Sequence, residues 1–236
     1  MGQTLTPRFI ANTLRTLRST VSLRAVLIGL SLLLAFLSIS PVSAATSVSG
    51  TISSNTTWTL ANSPFQVTGH VTVASGVTLT IEPGGTVKLD EGKSLLVDGT
   101  LVAQGTSGNV ITFTSSVASP FPGDPDNTET GYWGYIEFRN GSPGTIVDGS
   151  GNYVSGQILE HCYIEHAGLT GNATIDNPPF VNNCTFANNM WGGWHISAGA
   201  DSIIKNSTIL GAIHPWDSDV HKLGIRGMDN ALITSN

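Results

Sequence analysis

The sequence predicts an all-β protein, a right-handed single-stranded parallel β-helix behind an export signal. Three observations lead there: short apolar bursts at alternating positions, glycines at the breaks between them, and a strand-like segment that recurs in the second half at spacings of 22, 23 and 28 residues. Alternation is the period of a half-buried strand, and a fixed phase over some 20 to 30 residues is the signature of stacked coils.

Residues 1–44 read as a signal peptide. Arg8, Arg15, Arg18 and Arg24 form a basic stretch, Ala25–Ile39 is apolar, and Val42-Ser43-Ala44 offers small residues for cleavage. The apolar run is short for a bilayer core of roughly 30 Å, so removal is favoured over an anchor. The mature chain is then secreted or held at the cell surface. Cleavage would remove four Arg and no acidic residue, leaving 6 Lys+Arg against 16 Asp+Glu, a net charge of about −10. Such a field repels phosphate backbones and anionic lipid headgroups, which argues against nucleic acid and membrane insertion and leaves carbohydrates or cations as partners.

Residues 45–66 read as a cap or lead-in, and residues 67–236 as the coils. The bursts are Val71 and Val73; Val77, Leu79 and Ile81; Val87 and Leu89; Leu95 and Val97; Leu101 and Ala103; Ile111 and Phe113. Gly76, Gly84, Gly92, Gly99 and Gly105 fall between them, where a corner often needs positive φ. At this stage an antiparallel sandwich or barrel of short strands is equally open. The repeats favour the solenoid. Leu159-Glu-His-Cys-Tyr-Ile164, Val181-Asn-Asn-Cys-Thr-Phe186, Ile204-Lys-Asn-Ser-Thr-Ile209 and Leu232-Ile-Thr-Ser235 align without gaps. A second column runs through Ile136-Glu-Phe138, Ala173-Thr-Ile175, Trp194-His-Ile196 and Leu223-Gly-Ile225.

In such a stack Cys162 and Cys184 become neighbours in an interior ladder. Parallel neighbours hold their Cβ atoms farther apart than the ~3.8 Å of a relaxed disulfide, which places buried free thiols ahead of a strained bridge. Asn183 and Asn206 are expected to form an amide ladder at the bend before the strand.

The run Val71-Thr-Val-Ala-Ser-Gly-Val-Thr-Leu-Thr-Ile-Glu-Pro-Gly-Gly-Thr-Val87, with Leu95–Gly105, Ile111–Ser115, Tyr132–Phe138 and Gln157–Ala167, resembles the N-terminal and later coils of secreted bacterial β-helix proteins of the pectin-lyase-like superfamily. The resemblance implies the fold but no reaction, because that superfamily holds lyases, hydrolases and adhesins. Its pectate lyases carry Trp-x-Asp-His and Arg-x-Pro-x-x-Arg, and its polygalacturonases carry Asn-Thr-Asp, Asp-Asp and Gly-His-Gly. None of these occurs here; Trp216-Asp-Ser-Asp219 and Gly123-Asp-Pro-Asp126 are the nearest approaches.

Candidate chemistry therefore rests on placement. In the second column Glu137, Thr174, His195 and Gly224 share one outward row, and Arg139, Asp176, Ser197 and Arg226 the next. Glu137, Asp176, His195 and Arg226 are the residues that could act as acid and base in glycoside cleavage or lyase chemistry. Arg139, Trp191 and Trp216 are the candidate substrate contacts. Asp217 and Asp219, in the insertion His214–Lys222, and Asp124 and Asp126, in an earlier acidic loop, are oxygen donors of the kind Ca²⁺ takes. Glu160, His161, Glu165 and His166 look like a catalytic cluster on paper, but alternation sends Glu165 outward and places His161 at a bend, so they need not converge and are read as structural.

These readings favour an exported surface or matrix module that binds a polysaccharide or cell-surface glycan, or spaces other domains, without catalysis. The alternative is a polysaccharide lyase or glycoside hydrolase. Aligned at Leu232, the last repeat stops before its second apolar residue, from which further C-terminal coils or domains are expected.

Overall fold

The computed structural model of the protein describes residues 44–117, 131–139, 142–168, 179–189, 203–210, 228–229 and 232–234. They form a parallel β-solenoid. Strands β1 (Thr46–Ile52) and β2 (Thr56–Trp58) open it, followed by β3 (Phe65–Val73) and β4 (Thr78–Ile81), then β5 (Thr86–Leu89), β6 (Leu95–Val97) and β7 (Thr100–Gln104). After β8 (Ile111–Ser115) and β9 (Ile136–Phe138) comes a hairpin of β10 (Ile146–Val147) and β11 (Tyr153–Ser155). The later rungs are β12 (Ile158–Glu160) with β13 (Cys162–Glu165), β14 (Phe180–Asn182) with β15 (Thr185–Ala187), β16 (Ile203–Lys205) with β17 (Thr208–Leu210), and β18 (Met228–Asp229) with β19 (Leu232–Thr234). All pairings between these strands are parallel except the β10–β11 hairpin.

Three faces result. The first stacks β2, β4, β7, β12, β14, β16 and β18. The second stacks the leading halves of β1 and β3 on β5, β8, β13, β15, β17 and β19, and the third stacks the trailing halves of β1 and β3 on β6 and β9. Strand β3 turns the corner between faces two and three at Thr68-Gly69-His70, where its inward–outward alternation lapses.

Alternation puts every second side chain inside. On the second face Phe65, Val87, Phe113, Ile164 and Phe186 stand in register, none more than 4% exposed. On the first, Trp58, Ile81, Ala103, Leu159, Val181 and Ile204 do the same. Each large member of these ladders contributes about 1.5–3 kcal/mol by leaving water. The sandwich alternative is excluded by the parallel pairing.

Gly76, Gly84 and Gly92 adopt positive φ, as expected of corners. Gly99 and Gly105 are glycines for another reason, close backbone approach: a Cβ on Gly99 would lie 2.2 Å from the Val77 carbonyl oxygen and one on Gly105 2.7 Å from that of His161. In the later rungs the tight corner between faces one and two is made by non-glycine residues. His161, Asn183 and Asn206 hold φ of 46°, 52° and 49°, in the left-handed region that Asn and His tolerate best.

The next residue locks each of these corners. The Cys162 thiol, the Cys184 thiol and the Ser207 hydroxyl donate to the carbonyls of Glu160, Asn182 and Lys205, two residues back in each case. Both cysteines are free, buried and on adjacent rungs, as expected. The amide ladder differs in detail, because Asn206 Nδ2 donates to Asn182 Oδ1 at 3.0 Å, while Asn183 Nδ2 lies 3.5 Å from His161 Nε2.

The segment read as a lead-in joins the ladder, since Thr46–Val48 pairs with Phe65–Val67. One feature departs from the sequence reading. The last repeat is out of phase with an alignment at Leu232: Met228, not Leu232, pairs with Ile204, and Ile233 pairs with Ile209. The adjacent apolar pair Leu232-Ile233 imitates a repeat start. Met228-Asp-Asn-Ala-Leu-Ile233 is the true equivalent, and it includes the apolar residue that the alignment at Leu232 lacks.

Gln157 fills a gap no strand occupies. It is fully buried, its Oε1 accepts the Leu101 N–H at 2.7 Å and its Nε2 donates to the Gly99 carbonyl at 2.6 Å, so the side chain completes the ladder beside β7. The β10–β11 hairpin covers the outer side of the first face, where Ile158 and Phe180 point away from the core yet are buried. Tyr153 packs against Phe180 with ring centroids 5.8 Å apart, and Lys205 Nζ donates to the Gly151 carbonyl at 2.8 Å.

Candidate functional site

The outer surface of the second face carries two polar rows. Thr86, Thr112, Tyr163, Thr185 and Thr208 follow one another rung by rung, each partly exposed. Lys88, Thr114 and Glu165 form the row beside them. Threonine here follows from the pleat, because a β-branched residue with one hydroxyl suits a strand position half in water.

Tyr163 interrupts the hydroxyl row with an aromatic ring, and Glu165 sits two residues on, on the same side. Thr114 Oγ1 donates to Glu165 Oε1 at 2.8 Å. Burial, and then the Glu165 charge, raise the Tyr163 phenol above its ordinary value of 10.0, so it remains an O–H donor throughout the neutral range. At the corner that follows, His166 has φ 61° and its ring meets Tyr132 edge-on with centroids 5.8 Å apart. Its Nδ1 is 3.8 Å from Glu165 Oε1, close enough for an ion pair but not for a hydrogen bond, and is buried with no hydrogen-bond partner. Burial lowers the imidazole from 6.5 and outweighs the opposing pull of Glu165, so the ring is neutral at neutral pH. Trp133 Nε1 donates to the Glu165 carbonyl oxygen at 2.7 Å and fixes the backbone under this group.

The four residues Glu160, His161, Glu165 and His166 do not converge on one point, but two of them are neighbours. Glu165 and His166 come together. Glu160 instead accepts from Gln104 Nε2 and Asn182 Nδ2 at 2.8 and 2.7 Å, forming a carboxylate–amide ladder on the outside of the first face, and His161 faces Asn183. The sequence signalled this pair only by adjacency. An outward residue at a strand end and the corner residue after it are separated by one peptide, and the left-handed turn at His166 brings the ring back over the carboxylate.

Of the four candidate catalytic residues only Glu137 lies among the described residues. It points outward between buried Ile136 and Phe138, and its neighbour on the preceding rung is Leu96. Asp176, His195 and Arg226 lie outside the described residues, as do Trp191, Trp216 and the candidate Ca²⁺ donors Asp124, Asp126, Asp217 and Asp219. Arg139, expected to contact substrate, is outward but engaged: its Nη2 bonds Asp98 Oδ2 at 2.8 Å, with both side chains 34% exposed. Among the described residues no group of three His, Cys, Asp or Glu is arranged to hold a metal ion.

The second face presents groups suited to non-covalent contact. It offers hydroxyls that both donate and accept, one aromatic ring for stacking, a carboxylate acceptor and a neutral imidazole, all on a rigid strand lattice with a rise of ~4.8 Å. No family model, curated protein or solved structure matches this chain.

Proposed function

We propose that the chain is an exported β-helix of the pectin-lyase-like kind, wound right-handed as parallel crossovers almost always are, that serves as a surface or matrix module and binds a polysaccharide along its second face. One observation carries the reading: Thr86, Thr112, Tyr163, Thr185 and Thr208 form a continuous outward stripe of hydroxyls around one aromatic ring. A sugar chain whose rise per residue is close to the rung spacing of ~4.8 Å would set successive hydroxyl groups against successive threonines while one ring stacks on Tyr163. A neutral or cation-bearing glycan suits the acidic mature chain.

The test is affinity electrophoresis and calorimetry of the mature protein, cut after Ala44, against a panel of soluble neutral and acidic polysaccharides. Tyr163→Ala should weaken binding to the preferred glycan about 10-fold, the equivalent of ~1.4 kcal/mol, and Thr72→Ala on the third face should not. Equal binding by wild type and Tyr163→Ala would overturn the site. Release of reducing ends or unsaturated sugars in the same incubations would replace binding by hydrolysis or lyase chemistry, with Glu137, Asp176, His195 and Arg226 the first residues to substitute.

A further inference from the structure

The first rung of the solenoid is an open edge with a character found nowhere else in the described part. Among the described residues β1 pairs only with β3, and β2 only with β4, so the outer edges of both meet no strand. The inward side chains of β1 are correspondingly under-covered. Val48 and Ile52 are only partly buried, whereas Val67 and Val73, which stand under them on the next rung, are completely buried. From Ala44 to Ile81 there is also no Asp, Glu, Lys or Arg, in a mature chain of net charge about −10.

Soluble proteins usually defend a long edge strand with lysine, proline or a covering segment. Here a seven-residue edge carries Ser, Thr, Val, Gly and Ile alone. Its one irregularity is a register shift between Val48 and Gly50, where the strand turns from the second face to the third. Gly50 sits at the apex of that bend with φ 80° and open space around it.

We infer that two copies of the mature chain associate end to end through this rung, β1 lying antiparallel to β1 of the partner about a two-fold axis through Gly50. That register sets Val48 of one copy opposite Ile52 of the other and Ser49 opposite Thr51. The two arms of the bent strand exchange places under the two-fold, so the second face of one copy continues onto the third face of the other. A second copy is the occupant this edge fits, because the two-fold makes the patch its own complement. Mutual repulsion of two acidic chains is also weakest where neither presents a charge. The inference does not depend on glycan binding.

Sedimentation equilibrium of the mature wild-type chain from about 1 to 100 μM, the range of ordinary transient homodimers, should show the mass rising from one chain to two. Added salt should strengthen association by screening the like charges. The paired variant Ser49→Lys with Thr51→Lys sets four ammonium groups against one another on exposed positions and should stay monomeric at every concentration. Val154→Lys, 57% exposed on the outer β10–β11 hairpin, should dimerise like wild type. Circular dichroism identifies any variant that has lost its fold. Amide exchange of the wild type, which needs no substitution, should slow between Val48 and Ile52 as concentration rises. A wild-type chain that is monomeric throughout, a dimer that survives both lysines, or exchange in β1 that ignores concentration would overturn the inference.

Discussion

Replacing Gln157 by Leu tests whether a side chain has taken over the work of a missing strand. Leucine has nearly the same bulk, so the packing change is small and the loss is chiefly polar. The Leu101 N–H loses its acceptor at 2.7 Å and the Gly99 carbonyl its donor at 2.6 Å, both where Gln157 is fully buried. An abandoned buried group costs about 1–3 kcal/mol, so the two together should cost about 2–6 kcal/mol. That is a large part of the 5–15 kcal/mol typical of a whole domain, and ~2 kcal/mol already lowers the folded-to-unfolded ratio about 30-fold. Urea unfolding of the mature chain should show the midpoint falling with little change in slope. Amide exchange should show Leu101 losing protection selectively. A loss under about 0.5 kcal/mol, the level of an ordinary surface substitution, with Leu101 still protected, would refute the reasoning.

Two further outcomes follow from the buried titratable groups. Burial holds His166 below its ordinary 6.5 in the folded state, so the unfolded chain binds more protons between the two values. Stability should therefore fall as pH drops from about 6.5 through the lower folded value, and His166→Asn, which tolerates φ 61°, should flatten that slope in melts between pH 7.5 and 5. Asp148, lowered by hydrogen bonds from Asn152 and Ser150, acts in a separate window below its ordinary 3.8. For the cysteines, thiol titration of native protein should find almost no reaction, since burial pushes the Cys162 thiol well above its ordinary value, and unreduced, denatured protein should expose both thiols. Denatured protein with no free thiol would mean that the two adjacent rungs are bridged.

Most of the fold was legible because a solenoid writes its geometry into the sequence. The spacing of Cys162 from Cys184 gave the register of two rungs, and the Asn before Cys184 and before Ser207 marks the left-handed corner that His161 makes before Cys162. The same marker explains the one phase error. Leu232-Ile233 looked like a strand start by apolarity, whereas Asn230 aligns Met228 with Ile204. Gln157 was not legible, because nothing local distinguishes a glutamine that pairs with a strand 56 residues away from one at the surface. Glu165 was legible as an outward residue but not as a partner of His166, since their approach depends on the positive φ of that single residue. Arg139 was legible as outward, yet its pairing with Asp98 depends on the stacking of β9 on β6, which brings together residues 41 apart in sequence.

The most direct test of the stack itself is a set of spin-label distances along one outward row. The background is Cys162→Ser with Cys184→Ser, chosen because Ser207 already fills the equivalent position on the next rung, and labels are placed on Thr208 and on either Thr86 or Thr112. Pulsed electron resonance should give distances differing by about one rung, with axial separations of ~19 and ~14 Å for four and three rungs of ~4.8 Å. Distances that are equal, or longer for Thr112 than for Thr86, would contradict a parallel in-register solenoid.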